Sequence, residues 1–143
     1  MSELTSEPSK QSDENGESAA ERRQRGLKKM SEVYGWEFSD GPGDHFAVTA
    51  DHLFAGIWSR PELDLRERRL LLIGALTAQG QFDVAEIQLG AALRNGEFTA
   101  DQLREMALFL CHYVGWPAGT ALDGVVGKVV DQQRKSEQAN KTK

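Results

Sequence analysis

The sequence predicts a compact all-α domain of about six helices in antiparallel packing, on three observations. Apolar residues recur three and four positions apart through most of the chain, and no stretch alternates as a half-buried strand would. Two helix starts carry a reciprocal capping pair, Asp64 with Glu67 and Thr99 with Gln102. Between the helical stretches, Gly, Pro and Asn leave connections of a few residues, which favour neighbours running in opposite directions.

Residues 1–20 are rich in Ser and Glu, with Gln and Asn, and hold almost nothing to bury, so a disordered acidic tail is expected there, with the helical domain over 21–133. The first helix is expected from Ala20 to Tyr34, with Leu27, Met30, Val33 and Tyr34 on one face. Its basic residues, Arg22, Arg23, Arg25, Lys28 and Lys29, read as a solvated outer face. A Gly-, Pro- and Asp-rich loop over 35–44 precedes a second helix from about Asp44 to Ile57. The organising stretch runs from Trp58 to Gly80. Pro61 turns the chain at Arg60, Asp64 caps, Leu70–Ala78 is apolar on every face but Thr77, and Gly80 offers a left-handed stop. A helix apolar all round requires enclosure on all sides, by its own domain or by another subunit.

In the fourth helix, Val84, Ile87, Gln88, Ala91 and Ala92 share a face, and Asn95-Gly96 ends it. The fifth opens at Thr99 and puts Leu103, Met106, Ala107, Leu110, Cys111 and Val114 on a core stripe. Leu108, Phe109, His112 and Tyr113 fall on its other faces, and this two-sided apolarity predicts packing against another subunit. After the break at Gly115-Trp116-Pro117, a last helix over Ala118 to Gln133 turns Leu122, Val125, Val126, Val129 and Val130 inward. The polar tail over 134–143 is expected to fray.

The formal charge of −5 argues against a general nucleic-acid binder. No apolar run approaches the roughly 20 residues of a membrane span, and no basic-then-apolar leader opens the chain. One cysteine, Cys111, leaves no internal disulfide and suits a reducing cytoplasm. The histidines, His45, His52 and His112, are scattered, so no metal-ligand cluster and no cofactor motif is visible. Arg60, Arg66, Arg68 and Arg69 are candidate clamps for a substrate carboxylate, because a guanidinium matches that group with two parallel bonds. Pairing with Glu62, Asp64 and Glu67 accounts for them equally well.

Several spaced motifs then carry a resemblance. Trp58-Ser-Arg-Pro61, Leu63-Asp64-Leu65-Arg66, the apolar helix ending at Gly80, Ala92-Leu93-Arg94-Asn95-Gly96 and Tyr113-Val-Gly-Trp-Pro117 together resemble the carboxymuconolactone decarboxylase family. Arg25-Gly26-Leu27 and Glu32-Val33-Tyr34-Gly35 are similar to its lead-in. The resemblance implies an alkylhydroperoxidase-like, all-α subunit assembling with itself as a homotrimer or homohexamer. It implies a site between helices near the start of 81–95, and a cofactor-free lyase of aromatic degradation acting on a small carboxylated lactone. By the same resemblance, the decarboxylase histidine falls on Gln88, with its acidic partner on Val84. The peroxidase type would place cysteines at Gln81 and Val84, its histidine at Gln88 and its glutamate at Arg69. An amide has no proton to exchange near neutrality, so Gln88 is left with hydrogen bonding. The leading expectation is a lyase in which Arg60, Arg66, Arg69 and Trp58 bind substrate and Gln88 and His112 serve catalysis. A catalytically lost oligomeric module is the alternative, and a thiol peroxidase through Cys111 the third.

Overall fold

A computed structural model describes residues 16–142. The tail expected over 1–20 therefore lies, for residues 1–15, outside the described residues. The helices are α1 (Ala19–Tyr34), α2 (Asp44–Val48) continued by a π-helical segment (Thr49–Ile57), α3 (Leu65–Ala78), α4 (Phe82–Arg94), α5 (Ala100–Val114) and α6 (Trp116–Lys141). Among the described residues no strand forms, so the all-α reading holds. The described residues divide into two compact units, 16–30 with Phe38–Ser59, and Ser31–Glu37 with 60–142.

In the first unit α1 starts on a reciprocal pair, Ser18 Oγ accepting from Glu21 N at 3.1 Å and Glu21 Oε2 from Ser18 N at 3.4 Å. Gly26 lies where α1 meets the π-helical segment: a Cβ there would stand 2.0 Å from the carbonyl oxygen of Ala50. Of the basic residues expected to face solvent, Arg25 and Lys28 are exposed, and Arg22, Arg23 and Arg25 are also bonded. Arg22 Nε donates to Asp51 O at 2.7 Å and Arg25 Nη1 donates to Ala55 O, so two carbonyls of the π-helical segment are bonded from α1. Arg23 bridges Asp51 and Asp40 at 2.7 Å each, and its guanidinium holds the Asp40 carboxyl below the usual carboxylate range.

In the second unit α3 to α6 close on a core that includes Ile73, Leu89, Leu103, Ala107, Leu122 and Val126, each buried. Both expected capping boxes form: Asp64 Oδ1 accepts from Glu67 N at 2.7 Å, and Thr99 Oγ1 from Gln102 N at 3.2 Å. Gly80 takes φ +70, the left-handed stop after α3. Asp64→Ala should cost about 1 kcal/mol, read as a lower urea midpoint at unchanged slope.

One expectation narrows and two give way. α3 is not enclosed by its own chain alone: it buries Arg69, Ile73, Leu76 and Thr77 and leaves Leu71 65% exposed, so of the two enclosures expected only the one by another subunit is left. The face of α4 is rotated, with Ala85, Gln88, Leu89 and Ala92 inside while Val84 and Ile87 reach solvent, because the stripe that meets the core runs through Ala85, Leu89 and Ala92. The tail expected to fray from Arg134 is helix to Lys141. The sequence after Val130 holds no Gly or Pro to stop it, and Gln133 Nε2 meets Glu137 Oε1 at 3.2 Å, one turn on.

Candidate functional site

The centre of the second unit is a charged residue on an apolar stripe. Arg69, Ile73, Leu76 and Thr77 follow the i, i+4, i+7, i+8 pattern of one helix face, so α3 carries a guanidinium inward, where it is fully buried. A buried charge must be paired and bonded, and three neighbours do this. Glu97, on the turn between α4 and α5, takes Nε at 2.9 Å and Nη2 at 2.8 Å in a two-pronged ion pair. Val33 O accepts from Nη1 at 2.6 Å, and Gln88 Oε1, from α4, accepts from the same nitrogen at 2.5 Å. Gln88 itself is 2% exposed.

The cluster also closes the end of α1. The last four carbonyls of a helix have no partner within it. Here Ser31 O accepts from Gly35 N at 2.9 Å, Glu32 O from Asn95 Nδ2 at 2.7 Å, Val33 O from Arg69, and Tyr34 O from Arg94 Nη2 at 3.0 Å. Two cations thus stand at the negative end of the helix dipole. Gly35, at φ +78, turns the chain away; a Cβ there would meet Arg94 Nη2 at 3.1 Å. The Ala92–Gly96 motif therefore works as a cap for another helix. Burial raises the Tyr34 phenol, with the Arg69 charge opposing.

Of the residues singled out in the sequence, the structure brings Arg69 and Gln88 into direct contact. Arg66 stands beside them, its Nε donating to Glu97 O at 3.0 Å and its guanidinium 4.3 Å over the Phe98 ring. Arg60 is exposed and 3.6 Å from Glu62. His112 is exposed, with Nδ1 2.9 Å from Leu108 O and its ring edge-on to Trp116. Trp58 belongs to the first unit, stacked on Phe54. His45 and His52 are exposed there. Gln81, Val84 and Gln88 descend from solvent to core along the start of α4. Glu97, Arg94 and Asn95 carry roles that sequence reasoning missed. The signal was present: an arginine in phase with Ile73 and Leu76 demands a carboxylate, and Glu97 directly precedes the buried Phe98.

Beside a hollow of about 250 Å³ lined by Phe98, Gln102, Glu105, Met106 and Phe109, two more open elsewhere among the described residues. One of about 230 Å³, between α5 and α6, is lined by Leu108, Cys111, Trp116, Thr120 and Asp123 among others. The other, also about 230 Å³, is an apolar groove formed by Leu70, Leu71, Ile73, Gly74, Met106, Phe109 and Leu110. Gln88 lines none of the three. Among the described residues no group of three or more His, Cys, Asp or Glu is placed to hold a metal, and no helix is long and apolar enough to cross a membrane.

The model of the carboxymuconolactone decarboxylase family matches residues 43–126. The chain belongs to that family. It is 31% identical over 109 residues to a protein of Acinetobacter baylyi named 4-carboxymuconolactone decarboxylase, covering 71% of this chain and 81% of the relative. No solved structure matches it significantly. The match to the family takes in α3, α4 and α5 entire, and with them Arg69, Gln88 and Glu97. Within this family scaffold, what stands at 88 is an amide whose orientation is fixed. Arginine has no acceptor, so the atom bonded to Arg69 is the amide oxygen, and the remaining capacity of Gln88 is the donor pair on Nε2.

Proposed function

We propose that this carboxymuconolactone decarboxylase family member is a cofactor-free carboxy-lyase for a small carboxylated lactone, in which Gln88 acts by hydrogen bonding alone. The observation that carries the reading is the Arg69–Gln88 bond, which pins the amide oxygen and leaves an N–H donor for an oxygen of the substrate. In such a reaction the bond to the carboxyl carbon breaks, carbon dioxide leaves, and the electron pair passes into the conjugated carbonyl. A donor aimed at that oxygen stabilises the developing charge without exchanging a proton. The proton that completes the product comes from a group other than Gln88; His112 and Tyr34 are the residues to test. The relative's name, 4-carboxymuconolactone decarboxylase, supports the substrate class.

The test is release of carbon dioxide from 4-carboxymuconolactone by the purified protein. Turnover above buffer that Gln88→Leu lowers is expected; turnover no faster than buffer removes this reading for that substrate. A second reading, a helical module without catalysis, is favoured by the Arg69–Glu97 pair, which fills the interior beside Gln88 with the chain's own charges. A silent wild type with an active Gln88→His variant would establish it. Peroxide reduction through Cys111 ranks third, because the thiol is the chain's single cysteine and has no resolving partner within it.

Under either leading reading the chain works as an assembly of copies, a homotrimer or homohexamer in the cytoplasm. Leu71, Leu108, Phe109, Tyr113 and Trp116 are 51% to 77% exposed, an apolar surface that water alone does not suit. Leu71→Glu combined with Phe109→Glu should convert the oligomer to monomer in sedimentation; an unchanged mass would place the contact elsewhere.

A further inference from the structure

We propose that Arg69 is a carboxylate receptor whose seat is occupied, in the unliganded protein, by the side chain of Glu97. This deepens the reading above, since a carboxylated substrate is what such a seat takes. Three donors converge on the Glu97 carboxylate: Arg69 Nε at 2.9 Å and Nη2 at 2.8 Å, and Asn95 Nδ2 at 3.0 Å. The remaining guanidinium nitrogen, Nη1, is tied to Val33 O and Gln88 Oε1. Those two bonds hold the fork in place whether or not Glu97 is there, so the seat is preorganised.

The occupant is also the outer layer of the site. The Arg69 side chain is 0% exposed and that of Glu97 9%, so a carboxylate from solvent reaches the fork by taking the place of Glu97. The backbone of Glu97 is held separately, its N–H on Ala92 O at 3.0 Å and its carbonyl on Arg66 Nε at 3.0 Å. Vacating the seat therefore needs only side-chain rotation. Truncation at Cβ would leave a space the size of CH2–COO⁻, that of acetate, facing all three donors. The ligand class is a small carboxylate or the carboxylate arm of a larger acid. A site that carries its own ligand binds a competing one only after displacing it, so the wild type is held closed to weak acids.

The experiment is thermal melting of wild type and Glu97→Ala in sodium acetate against sodium chloride at equal ionic strength. Glu97→Ala is expected to melt below wild type in chloride. It should recover saturably in acetate, by about 4 °C at ten times its Kd. Wild type should melt alike in both salts, and Arg69→Met with Glu97→Ala should gain nothing. If Glu97→Ala fails to fold in chloride, recovery of helix on refolding in acetate supports the proposal, and failure to recover overturns it. Equal melting of Glu97→Ala in the two salts overturns it, as does an acetate gain in wild type as large as in the variant. Because acetate is no substrate and the readout is binding, a silent decarboxylation assay would leave the result standing.

Discussion

Arg69→Met should cost about 3–5 kcal/mol, the range found when one partner of a buried ion pair is removed. The loss strands the Glu97 carboxylate at the edge of the core with only Asn95 to bond it, and takes a donor from Val33 O and from Gln88. Replacing both charges changes the sum. Arg69→Met with Glu97→Leu should be markedly more stable than Arg69→Met alone, because no uncompensated charge remains. Chemical denaturation of the two single variants and the double gives the coupling energy. Additive losses would mean that the pair, despite its two-pronged geometry, is not what the interior is built on.

Gly26→Ala should be the most damaging of the small substitutions. The added methyl would lie 2.0 Å from Ala50 O and 2.7 Å from Ala50 C, both backbone atoms with no rotamer to yield. Relief requires α1 and the π-helical segment to move apart, which disturbs the bonds of Arg22 and Arg25 to Asp51 O and Ala55 O. Overpacking of a fitted contact costs about 1–3 kcal/mol and at times more; with backbone on both sides the upper end is expected. A melting curve shows it directly. Wild-type melting in Gly26→Ala would mean the helices are not in contact there. Gly119→Ala makes the parallel case in the second unit, where the methyl would meet Cys111 Sγ at 2.2 Å and Cys111 Cα at 2.8 Å.

Helix starts and stops were legible because they are local. Asp64, Thr99 and Gly80 act on backbone groups three or four residues away, and the structure uses each of them as the spacing implies. The end of α6 is less legible for the complementary reason: polarity alone does not stop a helix, and no Gly or Pro follows Val130. The site was legible in part. The resemblance points to position 88 as the expected place of the family's histidine, and the sequence has an amide there. What stands in its place depends on contacts distant in sequence, Arg69 to Glu97 and Arg94 to Tyr34 O, which helical periodicity does not encode. The face of α4 is hidden similarly, since Val84 and Ile87 fit the helical spacing as well as the buried Ala85, Leu89 and Ala92 do. The arginine cluster at 60–69 shows the same limit. One sequence stretch holds an exposed Arg60, an Arg66 laid over Phe98 and a fully buried Arg69, three environments for one residue type.

The claim that position 88 no longer handles a proton is tested most directly by one comparison: initial rates of carbon dioxide release from 4-carboxymuconolactone by wild type and Gln88→His, each checked for normal melting. Proton transfer at a reacting centre typically contributes about 10²–10⁴-fold, so the histidine variant should outpace the wild type by at least about tenfold, even beside the Arg69 charge. A wild-type rate equal to or above that of a well-folded Gln88→His protein would contradict the account.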